Sequence, residues 1–103
     1  MIYPPPKSGS LLAGNHAPAG EQKALVLLEK SGQKIIYKTF RTGEVMPTHH
    51  APVEVFVVVL AGRLVITQAE TPTEVAAGDY AILAAGAPHS LACLEAARIL
   101  IYR

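Results

Sequence analysis

Residues 43–62 read GEVMPTHHAPVEVFVVVLAG. Two adjacent histidines, His49 and His50, stand just ahead of Glu54 and a run dominated by valine. Branching at Cβ favours the pleated conformation, so residues 53–60 are expected as a strand, with Ala61-Gly62 as the turn that ends it. A second turn-rich stretch, GDYAILAAGAPH over residues 78–89, closes on another histidine, His89. Three imidazoles and one carboxylate are therefore available to converge on a metal ion, if the fold brings the two stretches together.

Outward from this stretch the chain repeats one pattern. Residues 23–29 (KALVLLE) and 33–41 (QKIIYKTFR) are short apolar, β-rich runs separated by Ser31-Gly32. Downstream, residues 63–68, 73–76, 80–83, 89–94 and 97–102 are further strand candidates. Thr71-Pro72, Ala77-Gly78-Asp79 and 85–88 break the chain between them. No segment carries a 3.6-residue period with helix caps. Many short strands with frequent turn signals mean an all-β sandwich or barrel. Residues 1–20, with Pro4-Pro5-Pro6, read as an extended N-terminal arm, and 21–103 as the barrel domain. His16, in the arm, reads as an ordinary loop histidine.

Composition bounds the function. A chain of 103 residues is expected to be one domain. Half of it is apolar and only 17% is charged, so a partner subunit is expected to cover some apolar surface. A net charge of +1 gives no electrostatic case for nucleic acid or a membrane. One cysteine, Cys93, cannot form an intrachain disulfide. Residues 1–20 lack the apolar core of a signal peptide, so a cytoplasmic location is the default expectation.

The candidate ligands have a defined chemistry. Imidazole binds Zn, Cu, Fe and Ni, and carboxylate suits harder ions such as Mn and Fe. Strand side chains alternate, so His50 and Glu54, four apart, share a face while His49 points the other way. Only a bulge at the histidine pair turns both inward. Cys93, four residues beyond His89, should share its face and reads first as a small buried filler. Phe56, Tyr80 and Tyr37 read as core or interface more than as cavity lining.

These residues resemble the two motifs of small single-domain cupins, over about residues 35–103. The second motif matches at Gly78, Gly86 and His89, with Ala84 in the place of the usual proline and Cys93 in that of the asparagine. The first motif wants His-x-His, and this chain has His-His. Counted from Gly43 or from Gly62, His49 is the first ligand, while Ala51 and Val55 stand where a second histidine and a glutamate belong. Counted from Glu54, His50 and Glu54 are kept and Thr48 replaces the first histidine.

The resemblance implies a double-stranded β-helix, or jelly-roll, barrel. It implies a divalent transition metal (Zn, Ni, Mn, Fe or Cu) held by His49, His50, Glu54 and His89. The order of preference is His89 first, then His50 with Glu54, and His49 if the backbone bulges at the pair. It implies a small-molecule ligand or substrate, and oxygenase, isomerase or lyase chemistry if the chain is an enzyme. Glu54, where it is not a ligand, would be the general base. The alternative it implies is a metal-free binding or sensing module. A homodimer is expected in either case.

Overall fold

The computed structural model describes residues 2–12 and 24–103. His16 and residues 13–20 of the expected arm lie outside the described residues. Seven strands follow in order: β1 Ala24–Lys30, β2 Gln33–Phe40, β3 Val45–His49, β4 Val55–Gln68, β5 Thr71–Ala76, β6 Tyr80–Leu83 and β7 His89–Tyr102. All pairings are antiparallel, and there is no helix among the described residues.

The barrel is built on β4 and β7, each 14 residues long. They pair along most of their length, from Phe56↔Tyr102 to Gln68↔His89. The register slips at Val59/Ala61, Ala61/Arg63 and Arg63/Leu64. Bulges of this kind bend and twist a ribbon. On one side of the bend, residues 97–102 of β7 and 55–59 of β4 join β1, β2 and β6. On the other side, residues 89–93 and 64–68 join β3 and β5. The bent ribbon thus belongs to two sheets that face each other, which is the jelly-roll arrangement.

The core lies between those sheets. Leu64, Ile99 and Val59 are the largest side chains buried completely, and all three flank the bend. Each contributes about 1.5–3 kcal/mol by leaving water. The rest of the core cluster includes Phe40, Val55, Val57, Ile66, Val75, Leu83, Leu91, Cys93 and Ala97.

Three sequence expectations need correction here. Ala61-Gly62 does not end a strand; it lies inside β4, where Gly62 has φ +81°. A hairpin would pair residues 53–60 with 63–68, but both halves pair with β7 instead. Residues 89–94 and 97–102 likewise form one strand. Thr71 and Pro72 do not interrupt but start β5; the reversal falls on Ala69 and Glu70, both with positive φ, against the turn preference of their side chains. β3 was not marked as a strand in the sequence, since Pro47 and two histidines hide its β-propensity.

Gly62 is the residue with least freedom to change. A Cβ there would meet the carbonyl oxygen of Ala96 at 2.1 Å and the Cα of Ala97 at 2.7 Å, backbone atoms on the opposed strand. Gly62→Ala is therefore expected to destabilise the fold by about 3 kcal/mol or more, since overpacking and left-handed strain add. Urea unfolding checks this; a loss below about 1 kcal/mol, an ordinary strand-glycine effect, would show that the bend relaxes freely.

Candidate ligand cavity

The two sheets enclose a cavity of about 330 Å³, open at one end of the barrel. One wall is Ile36, Ile99, Ile101, Val55 and Val57 from β2, β7 and β4. The other carries Met46, Leu91, His49 and His89 from β3 and β7. Leu83, His50, Ala51 and Ala24 complete the lining together with Lys38 and Arg103, and no Asp or Glu side chain stands among these lining residues.

His49 and His89 are brought together because β3 and β7 pair at those two residues. The register slips between Met46 and His49, so the bulge precedes the histidine pair and does not divide it. β4 is regular from Val55 to Val59 against both neighbours. With the bulge there, His49, Ala51 and Val55 all line the cavity with His89. These are the positions counted from Gly43 and Gly62. His50 also reaches the lining; it is exposed, as is His49, whereas His89 is buried. Glu54 is exposed and is not among the lining residues.

Two backbone bonds fix the rings. His49 Nδ1 lies 2.9 Å from the Pro47 carbonyl and His89 Nδ1 lies 3.2 Å from the Ala87 carbonyl. A carbonyl only accepts, so each Nδ1 carries the proton and donates. Each neutral ring is left with a bare Nε2. The two Nε2 atoms face each other at 3.1 Å, with ring centroids 4.3 Å apart and planes at 73°. The loop that carries His89 is itself tied down: Ala84 N donates to Gln68 Oε1 at 2.8 Å, and Ala69 N to the Pro88 carbonyl at 2.9 Å.

Two opposed lone pairs at that distance repel unless something positive or a donor joins them. One proton satisfies the pair; a second must enter a site already charged. His89 accordingly has its pKa lowered from 6.5, first by burial, then by the charge of His49, with His50 adding to it and the Ala87 carbonyl opposing.

The donor set does not fit a four-ligand metal centre. Ala51 and Val55, inside the cavity, offer no donor atom, and Glu54 is elsewhere. Among the described residues no three His, Cys, Asp or Glu side chains converge on one point. Structural metal sites are four-coordinate and even open catalytic ones keep three protein ligands. Cys93 does not line the cavity. It is buried in the core and its Sγ lies 3.1 Å from the Glu95 carbonyl, the filler expected from sequence. Phe56 and Tyr80 stack on each other at 5.8 Å on the outer face, and Tyr37 lies on that face too. Among the lining residues that sequence reasoning did not single out are Met46, Lys38 and Arg103; the strand pattern marks their faces but not which rows meet.

Comparison with known proteins supports the architecture. The family described as Cupin domain matches residues 36–102. No curated protein sequence matches the chain. Among solved structures, an RmlC-like cupin protein from Desulfovibrio desulfuricans is similar at 22% identity, with 93% of each chain covered and a TM-score of 0.76. A cupin superfamily protein from Desulfitobacterium hafniense is similar at 18% identity, covering 84% of this chain and 80% of that one, TM-score 0.77. A cupin 2 conserved barrel domain protein from Leptotrichia buccalis reaches 26% identity and a TM-score of 0.77, over 84% of this chain and 42% of its own.

The lowered pKa of His89 has a consequence for stability. The unfolded chain protonates this histidine at about 6.5, and the folded one only at lower pH. Below pH 6.5 the unfolded state therefore binds more protons, and stability falls as pH drops through the folded value. The thermal midpoint of the protein is expected to decline on acidification from pH 7 to pH 5. His89→Gln is expected to flatten that decline, and an unchanged slope in the variant would contradict the assignment.

Proposed function

The chain belongs to the cupin domain family, and on that premise we propose that it binds a small organic molecule inside the barrel, with the paired imidazoles of His49 and His89 as its polar anchor and without a metal. One observation carries the reading: the Nε2 atoms of His49 and His89, 3.1 Å apart, face a cavity walled mostly by aliphatic side chains. Apolar walls with a few convergent polar groups are the usual make-up of a small-molecule site, and about 330 Å³ lies at the small end of such sites. The pair accepts a hydrogen bond when neutral and donates one once it holds a proton. Lys38 and Arg103 in the lining suit a ligand with an acidic head and an apolar body. Its partners in this reading are that ligand and, as the resemblance implies, a second copy of the chain.

A second reading rests on the same two nitrogens. At 3.1 Å they are placed as two neighbouring donors of a weak transition-metal site, completed by water or ligand. The donor set gives no basis for choosing among Zn, Ni, Mn, Fe and Cu. Glu54, exposed at the start of β4, offers no general base to the cavity on either reading.

Calorimetric titration of chelator-treated protein separates these readings. We expect a medium-chain carboxylate to bind one per chain, more tightly than the amine of equal length. His49→Ala with His89→Ala should weaken it about tenfold or more, as expected for losing a charge-assisted hydrogen bond. Binding that appears only after metal is restored would favour the second reading, and no binding under either condition would remove both.

A further inference from the structure

Three polar side chains meet on the outer face of the sheet that carries β1, β2 and β6: Tyr37 and Thr39 of β2, and Arg98 of β7. Tyr37 and Thr39, two residues apart, share a face. Arg98 stands directly opposite Thr39, and its Nη1 lies 3.1 Å from the Tyr37 hydroxyl oxygen. On its other side Arg98 pairs with Ala61, whose side chain is a single methyl. None of the three polar residues lines the cavity, which lies on the opposite side of this sheet.

One oxygen joins two of them. The carbonyl of Leu11, in the N-terminal arm, accepts from the Tyr37 hydroxyl and from Arg98 Nη1, each at 3.0 Å. Two donors from two strands thus converge on a single acceptor, which is how an oxyanion pocket is built. The acceptor in place is a neutral carbonyl. The guanidinium is a permanent cation, so an anionic oxygen in the same position adds Coulomb attraction. No Asp or Glu among the described residues pairs with Arg98. Its Nε and Nη2, the edge of the fork suited to a further oxygen, bond to none of the described residues.

Thr39 adds an independent observation. It is 7% exposed, and its Oγ1 is buried with no hydrogen-bond partner among the described residues. Buried hydroxyls are nearly always satisfied, because an unmade bond costs about 1–3 kcal/mol. A donor in surplus therefore stands beside a cation that lacks a counter-ion. The arm that supplies the Leu11 carbonyl is exposed over residues 2–10, and Leu11 is partly buried where it meets the sheet.

We propose that Arg98, Tyr37 and Thr39 form a second binding site, for the phosphate group of a small molecule, and that the arm closes it with the Leu11 carbonyl standing where one phosphate oxygen sits. The donor set selects the class of anion. A carboxylate has two oxygens in one plane, and the arginine fork alone satisfies both. A phosphate group carries further oxygens out of that plane, for the hydroxyls of Tyr37 and Thr39. Entry of the phosphate lifts the Leu11 carbonyl off its two donors, so binding and release of the arm are one event.

Inorganic phosphate titrated into the full chain at constant ionic strength, followed by 1H–15N correlation, tests this. Saturable shifts are expected at the Arg98 Nε–H and at the Leu12 amide, whose peptide bond carries the Leu11 carbonyl. Acetate is expected to bind there more weakly than phosphate. Arg98→Met is expected to abolish saturation. Should that variant fail to fold, Thr39→Val is nearly isosteric and removes the unpaired hydroxyl; it is expected to weaken phosphate about tenfold, the loss of one bond to a charged group. Phosphate shifts that stay linear overturn the proposal. So do acetate binding as tight as that of phosphate, saturable binding that leaves the Leu12 amide unmoved, and phosphate binding that the folded variants do not weaken. Saturable shifts confined to the rings of His49 and His89 also overturn it, since they place the phosphate in the cavity.

Discussion

Everything in this barrel depends on the bend in the β4–β7 ribbon. Without it the two long strands would extend as one flat sheet, with no enclosed space. The bend occurs where the backbone of Gly62 lies against the backbone of Ala96 and Ala97. Val59, Leu64 and Ile99 flank it and are buried completely. Hydrophobic burial on both sides of the bulges holds the bend, and glycine alone permits the approach. The cavity, the pairing of β3 to the first half of β7, and the meeting of His49 with His89 all follow from that one fold in the ribbon.

The site then depends on a register. β3 gains one residue against β7 between Met46 and His49. That residue turns His49 toward His89 and leaves His50 at the rim. Ala51, in the loop after β3, and Val55, the first residue of β4, face the same cavity. The same geometry that unites two histidines therefore places methyl-bearing side chains where two more donors would stand. A mostly apolar cavity with one close histidine pair is the result. The chemistry available there is hydrogen bonding and proton exchange at two nitrogens held by the Pro47 and Ala87 carbonyls.

The sequence shows the fold class readily and the site only in part. Valine-rich runs and glycine-marked turns identify strands, because those are local properties. The single strand across Ala61-Gly62 is not local: a glycine at positive φ serves a hairpin and a bulge alike, and only the shared partner β7 separates them. Ala69-Glu70 turns the chain without turn-forming side chains, so nothing in the composition marks it. Spacing counted from Gly43 and Gly62 points to His49, Ala51 and Val55, whereas counting from Glu54 points to His50. The bulge before His49 decides between them, and it is invisible until β3 is known to pair with β7. The aromatic residues show the same limit: alternation says Phe56 and Tyr80 share a face, but not that the face is the outer one.

The central claim is that His49 and His89 present two bare Nε2 atoms to one apolar space that takes a ligand. Long-range 1H–15N correlation of the imidazole rings near neutral pH, with and without a bound carboxylate, tests it most directly. The account predicts the Nδ1–H tautomer at both His49 and His89 in the free protein, and ligand-induced shifts at both Nε2 atoms that exceed those at His50. A protonated Nε2 with a bare Nδ1 on either ring of the free protein, or ligand shifts confined to His50, would contradict it.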